Sequence, residues 1–288
     1  MESAAVSIPR HIAEKYDWVA TGVLSRLSKA TTSQIAELPL GDRDHCSLSL
    51  PGPSEPVCVA REGNERSFFF FYLDFVKKLG LRFPFSRFQV DLLNILQLAP
   101  TQLHPNSWGF IIAFERLCRF LSHTPTTRTF FYFFNIQRAR QPGEPEEKRG
   151  WVSFRGKPDK KLFHVATDTW KGFKASFFKI NAEPGHKPWF LKDVDSSSVE
   201  LLFPLYWSKA HYDQDQSIFA SSDDSLEPAE VETVIALVDH VAEKDVIDSR
   251  IFIRQSVEEL YSPSMISVFF FFGMPLVISD VCYVFCSA

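Results

Sequence analysis

Cys282 and Cys286, four residues apart, come closest to a metal-binding pair. A structural zinc site needs four Cys or His donors at short, paired spacings. No His or acidic partner stands at ligand spacing from this pair, and no Cys-x2-Cys occurs. The eight histidines (His11, His45, His104, His123, His164, His186, His211, His240) are isolated from one another. The expectation is a chain with no metal and no other cofactor. Carboxylate chemistry fares no better. Asp168-Thr169-Trp170 approximates the turn that presents an aspartic-protease carboxylate, but Trp170 stands where that turn needs glycine. Ser222-Asp223-Asp224 has the adjacent carboxylates that hold two metal ions in a polymerase. It lies in the acidic, Ser-rich segment Tyr212–Pro228, which reads as a solvated linker. Phosphate loops and a Gly-x-Ser-x-Gly elbow are missing, and only 12 glycines are present. The chain therefore reads as non-enzymatic.

Charge is the remaining chemistry. Arg66 to Lys179 holds 19 Lys and Arg against 8 Asp and Glu, a net of +11 inside a chain of net −4. Lys77, Lys78, Arg82 and Arg87 form one basic group, and Arg155, Lys157, Lys160 and Lys161 another, both interleaved with aromatics. Basic patches bind phosphates by releasing counterions, and aromatic rings stack on bases. These eight residues are the nucleic-acid-binding candidates, with DNA or RNA as the partner. The rival expectation is that the acidic flanks neutralise the basic block, leaving a protein–protein module.

The elements that must carry these groups follow from periodicity. Ser86 and Gln89 form a capping box for a helix with Phe88, Leu92, Ile95, Leu96 and Ala99 on one face, stopped by Pro100. Pro100 to Pro105 is a stiff turn. Asn106 is expected to cap a second helix with Phe110, Phe114, Leu117, Cys118 and Leu121 on its stripe. Ser67 to Leu79 reads as a short buried helix, with strand as the alternative given its aromatic run, and Gly80 ends it. Thr124 to Ile136 reads as a third helix opened by Pro125. Trp151 to Arg155 and Lys161 to Val165 read as a β-hairpin around Gly156 to Lys160, and Ala175 to Ile180 as a strand. Ala182 to Trp207 reads as irregular structure laid over the core. Pro228 to Lys244 is an amphipathic helix with Val231, Val234, Ile235, Val238 and Val241 on one stripe, a surface for the chain's own core or for self-association. Arg250 to Tyr261 reads as a further helix.

The fold expectation is mainly α with a small β component (α+β): a helical core, then a β-hairpin and an irregular C-terminal region. The domain reading is an extended N-terminal arm (1–65), a basic core domain (66–181), an acidic linker region (182–227), a helical segment (228–262) and an apolar tail (263–288). Five scattered cysteines and no signal peptide suggest reduced thiols in an intracellular setting, nucleus or cytoplasm. Met265 to Cys286 approaches the roughly 20 apolar residues a membrane span needs. Asp280, Gly273 and Pro275 interrupt it, and no Lys or Arg flanks it closely. A C-terminal anchor is the second alternative; a non-native extension is the preferred reading.

The strings LGLRFPF (Leu79–Phe85), LAPTQLHPNSW (Leu98–Trp108), WKGFKASFF (Trp170–Phe178), YDWV (Tyr16–Val19) and FPLYW (Phe203–Trp207) carry a resemblance. The chain resembles, from about Ile8 to Trp207, the gypsy-type transposon (transposase-like) domain of plant retrotransposon-derived reading frames. That resemblance implies a gag-like or transposase-like interaction domain and brings no catalytic residues. Its motif residues here are Gly80, Pro84, Pro100, Gln102, Leu103, Pro105, Asn106, Trp108, Trp170, Lys171 and Phe177. Trp108 and the Gln102 to Asn106 turn are read either as a ligand or partner surface or as a core anchor and a helix cap.

Overall fold

The structure, a computed structural model, describes residues 5–6, 23–28, 35, 45–53, 55–58, 68–138, 150–164, 170–194, 198–212, 214, 225–242 and 247–248. These lie in one compact unit, Met1–Arg254; the second unit, Gln255–Ala288, is outside the described residues. So are the Tyr16–Val19 motif, the Asp168-Thr169 and Asp223-Asp224 pairs, the helix expected at Arg250 to Tyr261 and the apolar tail.

The aromatic run beginning at Phe68 divides into two elements. Phe68–Tyr72 is a strand (β3) and Leu73–Lys77 a one-turn helix (α1). A run apolar on both faces cannot be assigned by period, and aromatics favour the pleated surface when both faces are covered. Here both are. Phe69 and Phe71 meet Phe83, Phe85, Trp189, Phe190 and Phe203 on one side. Phe68, Phe70 and Tyr72 meet Tyr206, Phe177 and Phe173 on the other. Gly80 follows α1 with φ +64, the left-handed conformation that glycine adopts without a Cβ clash.

Strand β7 (Phe177–Ala182), expected from the sequence, is the centre of this sheet. It pairs antiparallel with β3, Phe71 opposite Phe178, and on its other edge with β2 (Cys46–Ser49).

Helix α2 (Arg87–Leu96) starts as expected: the Ser86 hydroxyl accepts from Gln89 N–H and the Gln89 side chain from Ser86 N–H. It ends before Pro100. Gln97 adopts a left-handed conformation, φ 53, and Leu98 N–H returns to the Leu93 carbonyl. Pro100–Gln102 is a single 3-10 turn, and α3 (Pro105–Phe120) follows. The cap of α3 is His104, not Asn106: His104 Nδ1 accepts from Asn106 N–H at 3.2 Å. The stripe expected on α3 is also too narrow. Residues from Ser107 to Glu115 are buried on every side, so this helix is the spine of the core rather than a surface element.

Helix α4 (Thr127–Phe133) is shorter than expected; Phe134–Arg138 continues as strand β4. β4 pairs antiparallel with β5 (Val152–Gly156), Ile136 opposite Phe154. The expected hairpin between Trp151–Arg155 and Lys161–Val165 is therefore not formed. Both edges of β5 are taken, one by β4 and the other by Leu103 and His104, whose N–H donates to the Val152 carbonyl at 2.9 Å. Phe163–His164 (β6) pairs instead, in parallel, with Ile247–Asp248 (β10). Leu191–Asp193 (β8) and Ser198–Leu201 (β9) form an antiparallel pair joined by Ala5–Val6 (β1) within the stretch expected to be irregular. Pro228–Ala242 (α5) is the last described helix.

The molecule is accordingly a mixed α/β protein, which corrects the expectation of a mainly α chain. Among the described residues there are five α-helices, four of them in succession between β3 and β4 and the fifth after β9, and the strands form four small sheets. The error came from the phenylalanine runs, whose uniform apolarity hides the switch from strand to helix after Tyr72 and from helix to strand at Phe134.

Candidate interaction surfaces

The four motif strings among the described residues converge, and most of their residues are buried. Gln102 is fully buried. Its Oε1 accepts from Ala99 N–H at 3.0 Å and Ser208 N–H at 3.4 Å, while Nε2 donates to the Ser208 carbonyl at 2.9 Å. Thr101 Oγ1 accepts from Trp207 Nε1–H at 2.8 Å, and Trp108 Nε1–H donates to the Pro100 carbonyl at 3.0 Å. Ser107 Oγ accepts from Phe154 N–H at 3.0 Å, and Asn106 Oδ1 accepts from Trp170 Nε1–H. The turn thus supplies polar partners to three distant segments around 154, 170 and 207, leaving few buried donors of its own unsatisfied.

Each motif residue has a structural place. Pro84, exposed, follows a cis Phe83–Pro84 bond in a stretch where Leu81, Phe83 and Phe85 point inward and Arg82 outward. Pro100 opens the 3-10 turn, Leu103 bridges to Val152, and Pro105 is the first residue of α3. Phe177 opens β7, and Lys171 is exposed beside Gly172. Trp108 is fully buried against Phe75 and Phe85, which makes it a core anchor and not a ligand surface.

His104 is perturbed by its surroundings. Burial and the neighbouring Lys174 push its pKa down to about 4, so the ring is neutral near pH 7 and free to accept at Nδ1. A second buried polar group joins α2 to α3: Glu115 accepts from Gln89 Nε2–H at 2.7 Å and from Arg119 at 2.7 Å. Burial raises the thiols of Cys58, to about 11, and Cys118, and the phenol of Tyr72, whose oxygen accepts from Trp151 Nε1–H.

The basic candidates separate into two groups with different surroundings. In the first, Lys78 is paired with Asp74 at 3.1 Å and lies over the Trp170 ring at 5.1 Å; Arg87 is paired with Asp91 at 2.9 Å. Lys77 and Arg82 are exposed. In the second, Arg155 is exposed on β5 opposite Asn135. Lys157 and Lys160 belong to one tight turn, closed by Lys160 N–H to the Lys157 carbonyl at 3.2 Å. Burial and then Lys160 lower the Lys157 pKa. Lys160 Nζ sits 3.5 Å from the Tyr132 ring centroid, and Lys161 is exposed. The chain's own lysines also cover Trp151 (Lys174, 4.0 Å) and Phe68 (Lys179, 4.4 Å). Such cation–π contacts use the ring faces that a base would stack on.

The third surface is α5. Its N-terminal half is fastened to α4: Thr126 Oγ1–H donates to Glu230 at 2.7 Å, and Arg128 lies 3.4 Å from Glu227 and 3.6 Å from Glu230. Thr233, Val234 and Leu237 are buried. The expected stripe is thus only partly the inward face, because Val231, Ile235 and Val238 are 36%, 53% and 45% exposed. Sequence reasoning missed Thr233 and Leu237. Leu237 at i+3 from Val234 marks the inward face, but the valine-rich set one-third of a turn away masked it.

Among the described residues no group of three or more His, Cys, Asp or Glu side chains is placed to hold a metal ion, and no helix is long and apolar enough to cross a membrane. Residues 70–138 match the family described as "Putative gypsy type transposon". The chain carries a gypsy-type transposon-related domain there, spanning β3 to β4. The match takes in Gly80–Phe85 and Leu98–Trp108 and stops short of Trp170–Phe178 and Phe203–Trp207, which pack on it. No curated protein and no solved structure matches the chain.

Proposed function

We propose that the chain is a non-enzymatic, transposon-derived (gag-like) interaction protein that works by packing against a protein partner. The observation that carries this is the exposed aliphatic row Val231, Ile235 and Val238 on α5. Large aliphatic side chains lined up on the outside of a helix mark contact surfaces more often than isolated exposed ones do. The aromatics favour the same reading: the phenylalanine runs are spent in the core, and Tyr132, Trp151 and Trp170 are covered by lysines of the same chain.

A second reading rests on the turn Lys157–Lys161. It brings Lys157, Lys160 and Lys161 within five residues, with Asp159 as the one acid among them, a local excess of positive charge that a phosphate would neutralise. Fluorescence anisotropy of labelled single- and double-stranded oligonucleotides against the full chain, over a salt series, separates the two. The protein-partner reading expects only weak, sequence-independent association, no tighter than about 10⁻⁴ M at physiological salt. Micromolar binding with a steep salt slope, removed by Lys157→Ala with Lys160→Ala, would overturn it in favour of nucleic acid.

A further inference from the structure

The exposed row on α5 has a finer pattern. Val231, Ile235, Val238 and Ala242 follow one another at intervals of four, three and four, and all four are exposed. That is the spacing of a two-helix seam, in which each apolar residue is a knob for a facing helix. The buried residues Thr233, Val234 and Leu237 lie on the adjacent arc, so α5 has two functional faces: one seated on α3 and α4, one turned outward. Along the outer border of the seam stand Glu232 and Asp239, seven residues apart and both exposed. Among the described residues neither has an ion-pair partner.

The borders of a seam select its occupant by charge. Two copies of α5 pairing antiparallel would set Glu232 and Asp239 against the same acidic border. Pairing in parallel would drive that border against the side where Val234 is already seated on its own domain. Nucleic acid and an anionic lipid surface meet the same acidic border and are repelled.

We infer that the outer seam of α5 takes an amphipathic helix of another protein, with aliphatic residues at four-three spacing and Lys or Arg facing Glu232 and Asp239. This rests on the protein-partner reading above and adds the chemistry of the partner.

The test uses the full chain and two labelled 21-residue helical peptides with the same aliphatic seam, one bordered by lysines and one by glutamates. The lysine peptide binds in the micromolar range, and the glutamate peptide at least about tenfold more weakly, the effect expected of complementary against like charges along a seam. Ile235→Asp abolishes binding of both without changing the melting temperature. Glu232→Lys with Asp239→Lys reverses the preference. Equal affinity for the two peptides, an unchanged preference in the charge-reversed variant, or no binding at 100 µM peptide overturns the inference. A dimer that Ile235→Asp dissociates in sedimentation equilibrium makes a second copy the occupant, which overturns the partner's chemistry while leaving the protein-partner reading intact. A melting temperature lowered by Ile235→Asp, with no peptide binding, assigns the seam to the chain's own core and overturns both.

Discussion

The Gln102 side chain makes a paired hydrogen bond with the backbone of Ser208, donating to its carbonyl at 2.9 Å and accepting from its N–H at 3.4 Å. The carboxamide acts as an extra peptide unit, holding the stretch after Phe203–Trp207 to the elbow between α2 and α3. Replacing it with leucine keeps the volume and orphans three buried backbone groups, on Ala99 and Ser208. Each orphan costs about 1–3 kcal/mol, so Gln102→Leu is expected to lose about 3 kcal/mol or more. Urea denaturation checks this, and a loss below about 1 kcal/mol would mean the pairing is not formed in solution.

His104 gives the fold a pH dependence of known sign. Its folded pKa, about 4, lies below the ordinary 6.5 because burial and Lys174 disfavour the charged ring. Between those values the unfolded chain binds a proton that the folded chain does not. Stability from this residue is therefore full above about pH 6.5 and falls as pH drops toward 4. The neutral ring is also the one able to accept from Asn106 N–H. His104→Asn, which keeps a capping acceptor, is expected to flatten the midpoint of unfolding over that window. An equally steep dependence in the variant would place the titration elsewhere.

Legibility in the sequence tracked how local the determining physics is. The capping box of Ser86 and Gln89, the left-handed Gly80 and the strand Phe177–Ala182 depend on neighbours within a few residues, and all three are present. The partner of β5 was not legible, because it depends on which edges remain free once Leu103 and His104 have docked. The cap of α3 moved from Asn106 to His104 for a similar reason: Asn106 is engaged by Trp170, 64 residues away. For the interaction surfaces, composition gave the basic block but not its division into residues already paired, such as Arg87, and the Lys157–Lys161 turn. The outward face of α5 was written in the four-three spacing, yet only the docking of Leu237 and Thr233 on the other side tells which face is left over.

Gln89 and Glu115 are buried and Arg119 closes the set from the surface, so the energies of the connected residues are not additive. Glu115→Leu leaves the Gln89 amide without an acceptor inside the core, and Gln89→Leu leaves the carboxylate with Arg119 alone. Each single change is expected to cost about 2 kcal/mol, and the double change less than the sum by about 1 kcal/mol. A double-mutant cycle measured by denaturant unfolding reads that coupling directly. Strict additivity would show that the two residues do not interact.

Thiol reactivity reports on the same core from another side. Cys58 and Cys118 are buried, and burial raises both above the ordinary thiol range, Cys58 to about 11. Only the thiolate alkylates readily. Brief iodoacetamide treatment of the native chain at pH 8, followed by peptide mapping, is expected to modify Cys46, which is partly exposed, well before either buried cysteine. All three become equivalent in denaturant. Rapid native labelling of Cys118 would show that α3 is not the enclosed spine described here.

Leu237 and Val238 are adjacent in sequence and opposite in consequence. Leu237 is fully buried, while Val238 is 45% exposed. Leu237→Ala removes core contacts and is expected to cost about 2–5 kcal/mol. Val238→Ala, on the outward seam, is expected to stay within about 0.5 kcal/mol, the range of ordinary surface changes. Thermal melts of the two variants therefore determine which side of α5 is seated. If Val238→Ala proved the costlier change, α5 would be rotated about its axis, and the row at Val231, Ile235 and Val238 would be core instead of surface.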